Sequence, residues 1–320
     1  MAHSTPAAGA TVRCAWCHRP QVSIRSRYFP RLIDTLPMDR HNGVKKIRFV
    51  TILDTKAQEM TRGIAPSMAP ILEELELAAD DIVTIERLDD LVRAAGLRTP
   101  TRVVAARLRQ QGWLLDTGQR GVWEFAPAAV AGPHSRGGPT LGLRALLARR
   151  DVACGLTFHA AAWALGAADR APSQVEVAVA DERDVARMPD GFSISVFAPH
   201  VPYRKAKGVP SLGPASVLTH MATSPNRVRS WSSAAEWLPD LAADSHAPDV
   251  LAELEGRPAT VAARLGYLLQ GLRPDVTSQI VGPTTKTWFG PRRATVRHDS
   301  TWQIADTLLP FDPRSLEPVR

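Results

Sequence analysis

Arg98, Arg102, Ala105 and Arg109 recur at spacings of four, three and four, the interval at which side chains share one face of a helix. Three guanidiniums with a small residue among them suit the major groove of DNA. Arginine pairs bidentately with guanine or clamps phosphate, and alanine lets a helix approach closely. Farther on, Gln119 and Arg120 lie in a glycine-bearing stretch between two apolar runs, where the tip of a hairpin would touch backbone or minor groove. The bland alternative is a solvated face on a protein-interaction module.

The surrounding residues spell the elements needed to present such a face. Met68, Ile71, Leu72 and Leu75 predict a first amphipathic helix, and Ile82-Val83 a short strand. Thr84 is placed to cap a second helix, with Ile85, Leu88, Leu91, Val92 and Ala95 on its inner face and Gly96 at its end. Thr99 and Pro100 read as the cap and first position of a third helix, whose Val104 and Leu108 point inward. Gly112 stops it, and the run from Trp113 to Phe125 predicts a hairpin. Helix, strand, helix, helix, hairpin is the order of a winged helix-turn-helix, expected over residues 63–126.

Composition agrees with an anionic partner. The 320 residues carry a net charge of +7. From Thr61 to Ala95 there are eight acids against three bases, whereas Leu97 to Arg109 holds four arginines and no acid. No apolar run approaches the ~18 residues of a membrane span, and no signal-peptide pattern opens the chain, so a soluble cytoplasmic protein is expected. Three cysteines exclude a disulfide framework. Cys14, Cys17 and His18 make half of a zinc ribbon without its second half, and no metal is assigned. Residues 1–62 form a basic, proline-punctuated extension with Lys45 to Leu53 as a possible strand. It reads as a disordered segment, an arm that adds phosphate contacts, or sequence ahead of a start at Met60 or Met68.

A proline- and glycine-rich linker is expected over 127–139, followed by a mixed α+β domain over 140–320. Its helices are expected from Thr140, over Leu156 to Gly166 with His159 as a partly buried structural residue, and over Gly213 to Ala222, Trp231 to Ala243, Asp249 to Glu255 and Pro258 to Gln270. Strands are expected at Val175 to Ala180, Phe192 to Phe197, Thr287 to Phe289 and Trp302 to Ile304. A basic loop, Tyr203 to Lys207, and the cations between the last strands give a candidate second basic patch of Arg204, Lys205, Lys207, Arg292, Arg293 and Arg297. Scattered surface charge is its alternative. No glycine-rich phosphate loop, metalloprotease motif or nucleophile elbow occurs, and Glu176 on its strand has no E-x-K companion. The chain is therefore read as a non-enzyme without catalytic residues or cofactor.

Specific motifs add to this reading. Arg109-Gln110-Gln111-Gly112-Trp113-Leu114 is followed by Ala160-Ala-Ala-Trp-Ala-Leu-Gly166 with Asp169, Arg170 and Pro172, then Arg264-Leu-Gly-Tyr-Leu-Leu269, then Trp288 with Gly290-Pro-Arg292. In that order they resemble the AbiEi-type antitoxins of bacterial abortive-infection systems, most closely actinobacterial members, over roughly Ile71 to Pro313. The resemblance implies a winged helix that represses its own operon at inverted repeats, a C-terminal domain that neutralises a nucleotidyltransferase-fold toxin of the AbiEii type, and no catalytic residues. It places Thr101, Arg102, Arg109 and Arg120 at the DNA. The candidate DNA-binding set is Arg98, Thr99, Thr101, Arg102, Arg109, Gln119 and Arg120. The alternative is a winged-helix transcription regulator whose C-terminal domain senses a ligand or protein, with no toxin partner.

Overall fold

The computed structural model describes residues 65–128 and 137–318. The basic extension, the Lys45 to Leu53 strand, the Cys14-Cys17-His18 motif and the middle of the linker lie outside the described residues. The described part is mixed α+β.

Its first portion runs α1 (Ala69–Leu77), β1 (Ile82–Thr84), α2 (Ile85–Ala94), α3 (Thr101–Gln110), β2 (Leu114–Asp116) and β3 (Val122–Phe125). The strands form an antiparallel sheet in the order β1-β3-β2, with Val83 opposite Trp123 and Leu115 opposite Glu124. The Thr84 side chain accepts from the Arg87 N–H and so caps α2, as its position before the apolar period requires. Gly96 and Gly112 take positive φ at the ends of α2 and α3. Ile71, Leu72, Leu75, Leu88, Leu91, Val104, Leu108, Trp113 and Phe125 close one hydrophobic core.

A second core fills the rest of the chain. α4 (Leu141–Leu147) leads into β4 (Cys154–Leu156), α5 (Phe158–Leu165), β5 (Glu176–Val179), β6 (Ser193–Val196), β7 (Arg204–Ala206) and β8 (Val209–Ser211). The five strands lie in the order β6-β5-β4-β8-β7, with β5 and β6 parallel, β4 and β8 parallel, and the other pairs antiparallel. Then follow α6 (Pro214–Thr223), α7 (Trp231–Ala243), α8 (Ala247–Leu254), α9 (Ala259–Leu269) and α10 (Pro274–Thr277). Strands β9 (Thr287–Phe289), β10 (Arg297–Asp299) and β11 (Ile304–Asp306) make a small sheet with β11 in the middle.

α6 is the axis of this part: every residue from Pro214 to Ala222 is buried. A helix buried on every face lies inside a core, and α5, α7, α8 and α9 all pack on it. Its C-terminal carbonyls would be orphans there. Arg264 reaches from α9 to the Ala222 and Thr223 carbonyls at 3.4 Å each, and donates to the Trp288 carbonyl at 2.7 Å. Gly266, two residues on, lets α9 close on Trp302, since a Cβ there would stand 2.2 Å from the indole.

Several expectations need correcting. Leu156 ends a strand instead of opening a helix, because Cys154–Leu156 pairs with both β5 and β8 in the sheet interior. The basic run from Arg204 is a strand, not a loop, held by pairing with β8. The final strand begins at Ile304, with Trp302 and Gln303 in the turn before it, where Asp299 accepts from the Trp302 N–H at 2.8 Å.

Candidate nucleic-acid interface

The third helix begins one residue later than its sequence suggests. Pro100 is the cap, with φ −57° and ψ 137°, and Thr101 the first helical residue. Arg98 and Thr99 therefore lie in the turn before α3, so the spacing that put Arg98 on the helix does not apply. Ala105 is buried with Val104 and Leu108, against its expected place on the exposed stripe. The outer face is formed by Arg102, Val103, Ala106, Arg107, Arg109 and Gln110. Thr101 donates its hydroxyl to Asp89 and fastens α3 to α2. That bond also holds the Asp89 carboxyl below its usual range, with Arg93 helping.

The hairpin brings the remaining candidates alongside. Its turn is closed by the Val122 N–H on the Gln119 carbonyl at 3.1 Å and by the Thr117 hydroxyl on the Val122 carbonyl at 2.9 Å. Gly118 and Gly121 take positive φ there. Arg102, Arg109, Gln119 and Arg120 then line one cleft of about 800 Å³, with Asp116, Trp123 and Arg149. Arg109 donates to Asp116 at 3.0 Å across an exposed pair. Arg102 has no ion-pair partner among the described residues.

Arg149 was not anticipated. It follows α4, 29 residues beyond Arg120 and 63 beyond Glu86, yet donates to the Arg120 carbonyl at 2.9 Å and to Glu86 at 3.0 Å. Arg144, on α4 itself, donates to Asp81 at 3.0 Å. Only the arginines flanking the 141–147 apolar period hinted at these residues.

The second basic patch divides between two sheets. Arg204 and Lys205 are exposed on β7, and the Lys207 ammonium stands 5.1 Å from the centre of the Trp163 ring. Arg292 is exposed. Arg293 is also exposed, but donates to the Thr307 carbonyl at 3.1 and 2.7 Å. Arg297 is a strand residue whose guanidinium meets Asp306 at 3.2 Å, the Tyr267 hydroxyl at 3.1 Å and the Phe311 carbonyl at 3.0 Å. Arg297 is thus an internal tie of the small sheet, and Arg293 a tie at its surface.

Two buried ionisable groups complete the second core. Glu176, 2% exposed, accepts from the Ala160 N–H at 3.1 Å and thereby caps α5 across the sheet, since Thr157 makes no side-chain cap. Burial pushes its carboxyl up to about 7 against the pull of the Ala160 N–H and Arg229. It lines a cavity of about 300 Å³ with His159, Gln174, Arg229, Ser230 and Trp237. His159 is half-buried and lies parallel to Trp237, its ring centre 6.1 Å away. His220, inside α6, accepts or donates at Nδ1 to the Thr157 hydroxyl at 2.8 Å and is flanked by the Phe158 and Phe197 rings. Burial and the nearby Arg257 and Arg227 push it down to about 3. Among the described residues no His, Cys, Asp and Glu cluster fits a metal, and no helix is long and apolar enough to cross a membrane.

Comparison with known proteins bears on the second core. Residues 152–271 match the model of the AbiEi antitoxin C-terminal domain. Three solved chains match the fold. One is the RV2827C protein from Mycobacterium tuberculosis, whose crystal structure aligns at a TM-score of 0.63 and 25% identity, covering 78% of this chain and 94% of that chain. No curated protein matches. Over residues 152–271 this chain is therefore similar to the AbiEi antitoxin C-terminal domain.

Proposed function

We propose that the chain is a DNA-binding antitoxin that represses its own operon through residues 65–126, acting as a winged helix, and neutralises a nucleotidyltransferase-fold toxin through its C-terminal domain. The observation that carries this reading is the shared cleft of Arg102, Arg109, Gln119 and Arg120, which sets a recognition helix beside a hairpin tip. Arg102 and Arg109 would read base edges or phosphate, and Arg120 and Gln119 the flanking backbone. Arg98 and Thr99, in the turn before the helix, would add phosphate contacts. The antitoxin domain supports a toxin as partner.

The test is fluorescence anisotropy on DNA from upstream of the chain's own reading frame, beside scrambled DNA, across a salt series. Upstream DNA should bind ~10³-fold tighter or better, and Arg102→Ala should cost ~1–3 kcal/mol on it. Equal binding of both DNAs with a steep salt slope would reduce the cleft to a phosphate-adhesive surface. The alternative, a regulator that senses a ligand without a toxin, draws support from the cavity at Glu176. Expression of the neighbouring gene separates the two: growth arrest relieved by this chain supports the antitoxin.

A further inference from the structure

α4 and the residues just after it hold the hairpin unit at two points. Arg144 grips Asp81, the residue before β1, and the same residue's carbonyl accepts from the Phe125 N–H at 3.0 Å. At the other end of β1, Arg149 takes Glu86 in the first turn of α2 and the Arg120 carbonyl in the hairpin turn. The Ile85 N–H donates to the Gly121 carbonyl at 2.9 Å beside it. Gly121 has φ +74°, and a Cβ there would stand 3.0 Å from the Arg149 guanidinium, so the turn is shaped to admit this side chain.

From these contacts we propose that Arg149 is a positioning residue, through which the segment just after α4 fixes the hairpin that carries Gln119 and Arg120. The inference rests on the DNA-binding reading for its consequence, but the clamp itself does not. Two of the guanidinium's donors are committed to acceptors on the hairpin unit, one a backbone carbonyl and one a carboxylate. Lysine, with its single nitrogen, lacks the fork that spans both. A hairpin released from Arg149 would keep its charge and lose its set position. Sequence discrimination, which needs a fixed register, would then fall further than general affinity for phosphate. Arg150, the adjacent exposed arginine, has no such partner among the described residues and serves as the charge-matched control.

Two measurements on the full chain test this. Amide hydrogen exchange without DNA should show the Val122 N–H, which closes the turn on Gln119, exchanging at least ~10-fold faster in Arg149→Ala than in the parent or in Arg150→Ala. Unchanged protection would overturn the clamp. Anisotropy should show the preference for upstream over scrambled DNA falling ~10-fold or more in Arg149→Ala, nearly as far in Arg149→Lys, and little in Arg150→Ala. If Arg149→Ala and Arg150→Ala instead weaken both DNAs alike and each lower the salt slope by ~1, Arg149 is a phosphate contact and the proposal fails. A parent chain with no preference for upstream DNA would refute the DNA-reading function while leaving the exchange result to judge the clamp.

Discussion

Arg257 donates to Glu253 at 2.8 Å one turn away, and the Glu253 side chain is wholly buried. The same carboxylate accepts from the Ser216 hydroxyl at 2.7 Å and from the His200 and Val201 N–H groups at 3.0 Å. Arg257 also donates to the Ala198 carbonyl at 2.8 Å and covers the Phe197 ring. One pair thus joins α6, α8 and the segment after β6. Removing one partner strands several buried donors, so Glu253→Ala should cost about 3–5 kcal/mol in urea unfolding. Glu253→Gln, which keeps an acceptor, should cost less. An alanine variant within 1 kcal/mol of the parent would show the hub to be dispensable.

Gly266→Ala should lower stability by about 3 kcal/mol, because its methyl meets the rigid Trp302 indole instead of a flexible chain end. At roughly 2–4 °C per kcal/mol this is a Tm drop of about 6–12 °C, readable by circular dichroism. Gly282→Ala is the control, with no atom within 4 Å of the added carbon.

His220 sets an acid limit. Its folded value, about 3, lies below the ordinary 6.5, so between these the unfolded chain binds a proton that the native chain refuses. Its contribution makes stability rise with pH across that window, by about 1.4 kcal/mol per pH unit at most. Denaturant midpoints of His220→Gln, measured from pH 4 to 8, should lose this slope.

Glu176 acts with the opposite sign. Its folded value, about 7, lies above the ordinary 4.5, so the native chain holds a proton that the unfolded one releases. Stability from this group is present below 4.5 and is lost as pH rises to 7, about 3 kcal/mol in all. Glu176→Gln, which preserves an acceptor for the Ala160 N–H, should remove that loss and leave the His220 slope exposed. A parent-like pH profile in this variant would rule out the buried proton.

The local elements were legible where a short-range rule fixes them. Thr84 capped its helix and Gly96 and Gly112 ended theirs, because capping and positive φ are decided within a few residues. What failed was set by pairing at a distance. Leu156 joins a sheet because two strands flank it, and Ala105 is buried because it flanks Val104 and Leu108 on the side of α3 packed into the core. Arg297 looks like surface charge in sequence, but Asp306 and Tyr267 draw it inward. Of the candidate cleft, Arg102, Arg109 and the hairpin tip were legible and Arg98 and Ala105 misplaced, while Arg149 reached it from 63 residues beyond Glu86. Several of the resemblance motif residues have structural duties: Ala160, Ala161 and Ala162 pack without exposure, Arg264 caps α6, and Gly266 admits Trp302.

The helix buried on all sides, α6, has a consequence for the protein's lifetime. An element with no water-facing side cannot peel away alone, because the residues that enclose it would have to part first. A protease that needs an extended substrate therefore finds no cleavable form of this helix short of whole-domain opening. Its persistence in a cell should follow global stability, so that substitutions such as Gly266→Ala shorten its half-life without touching any contact surface.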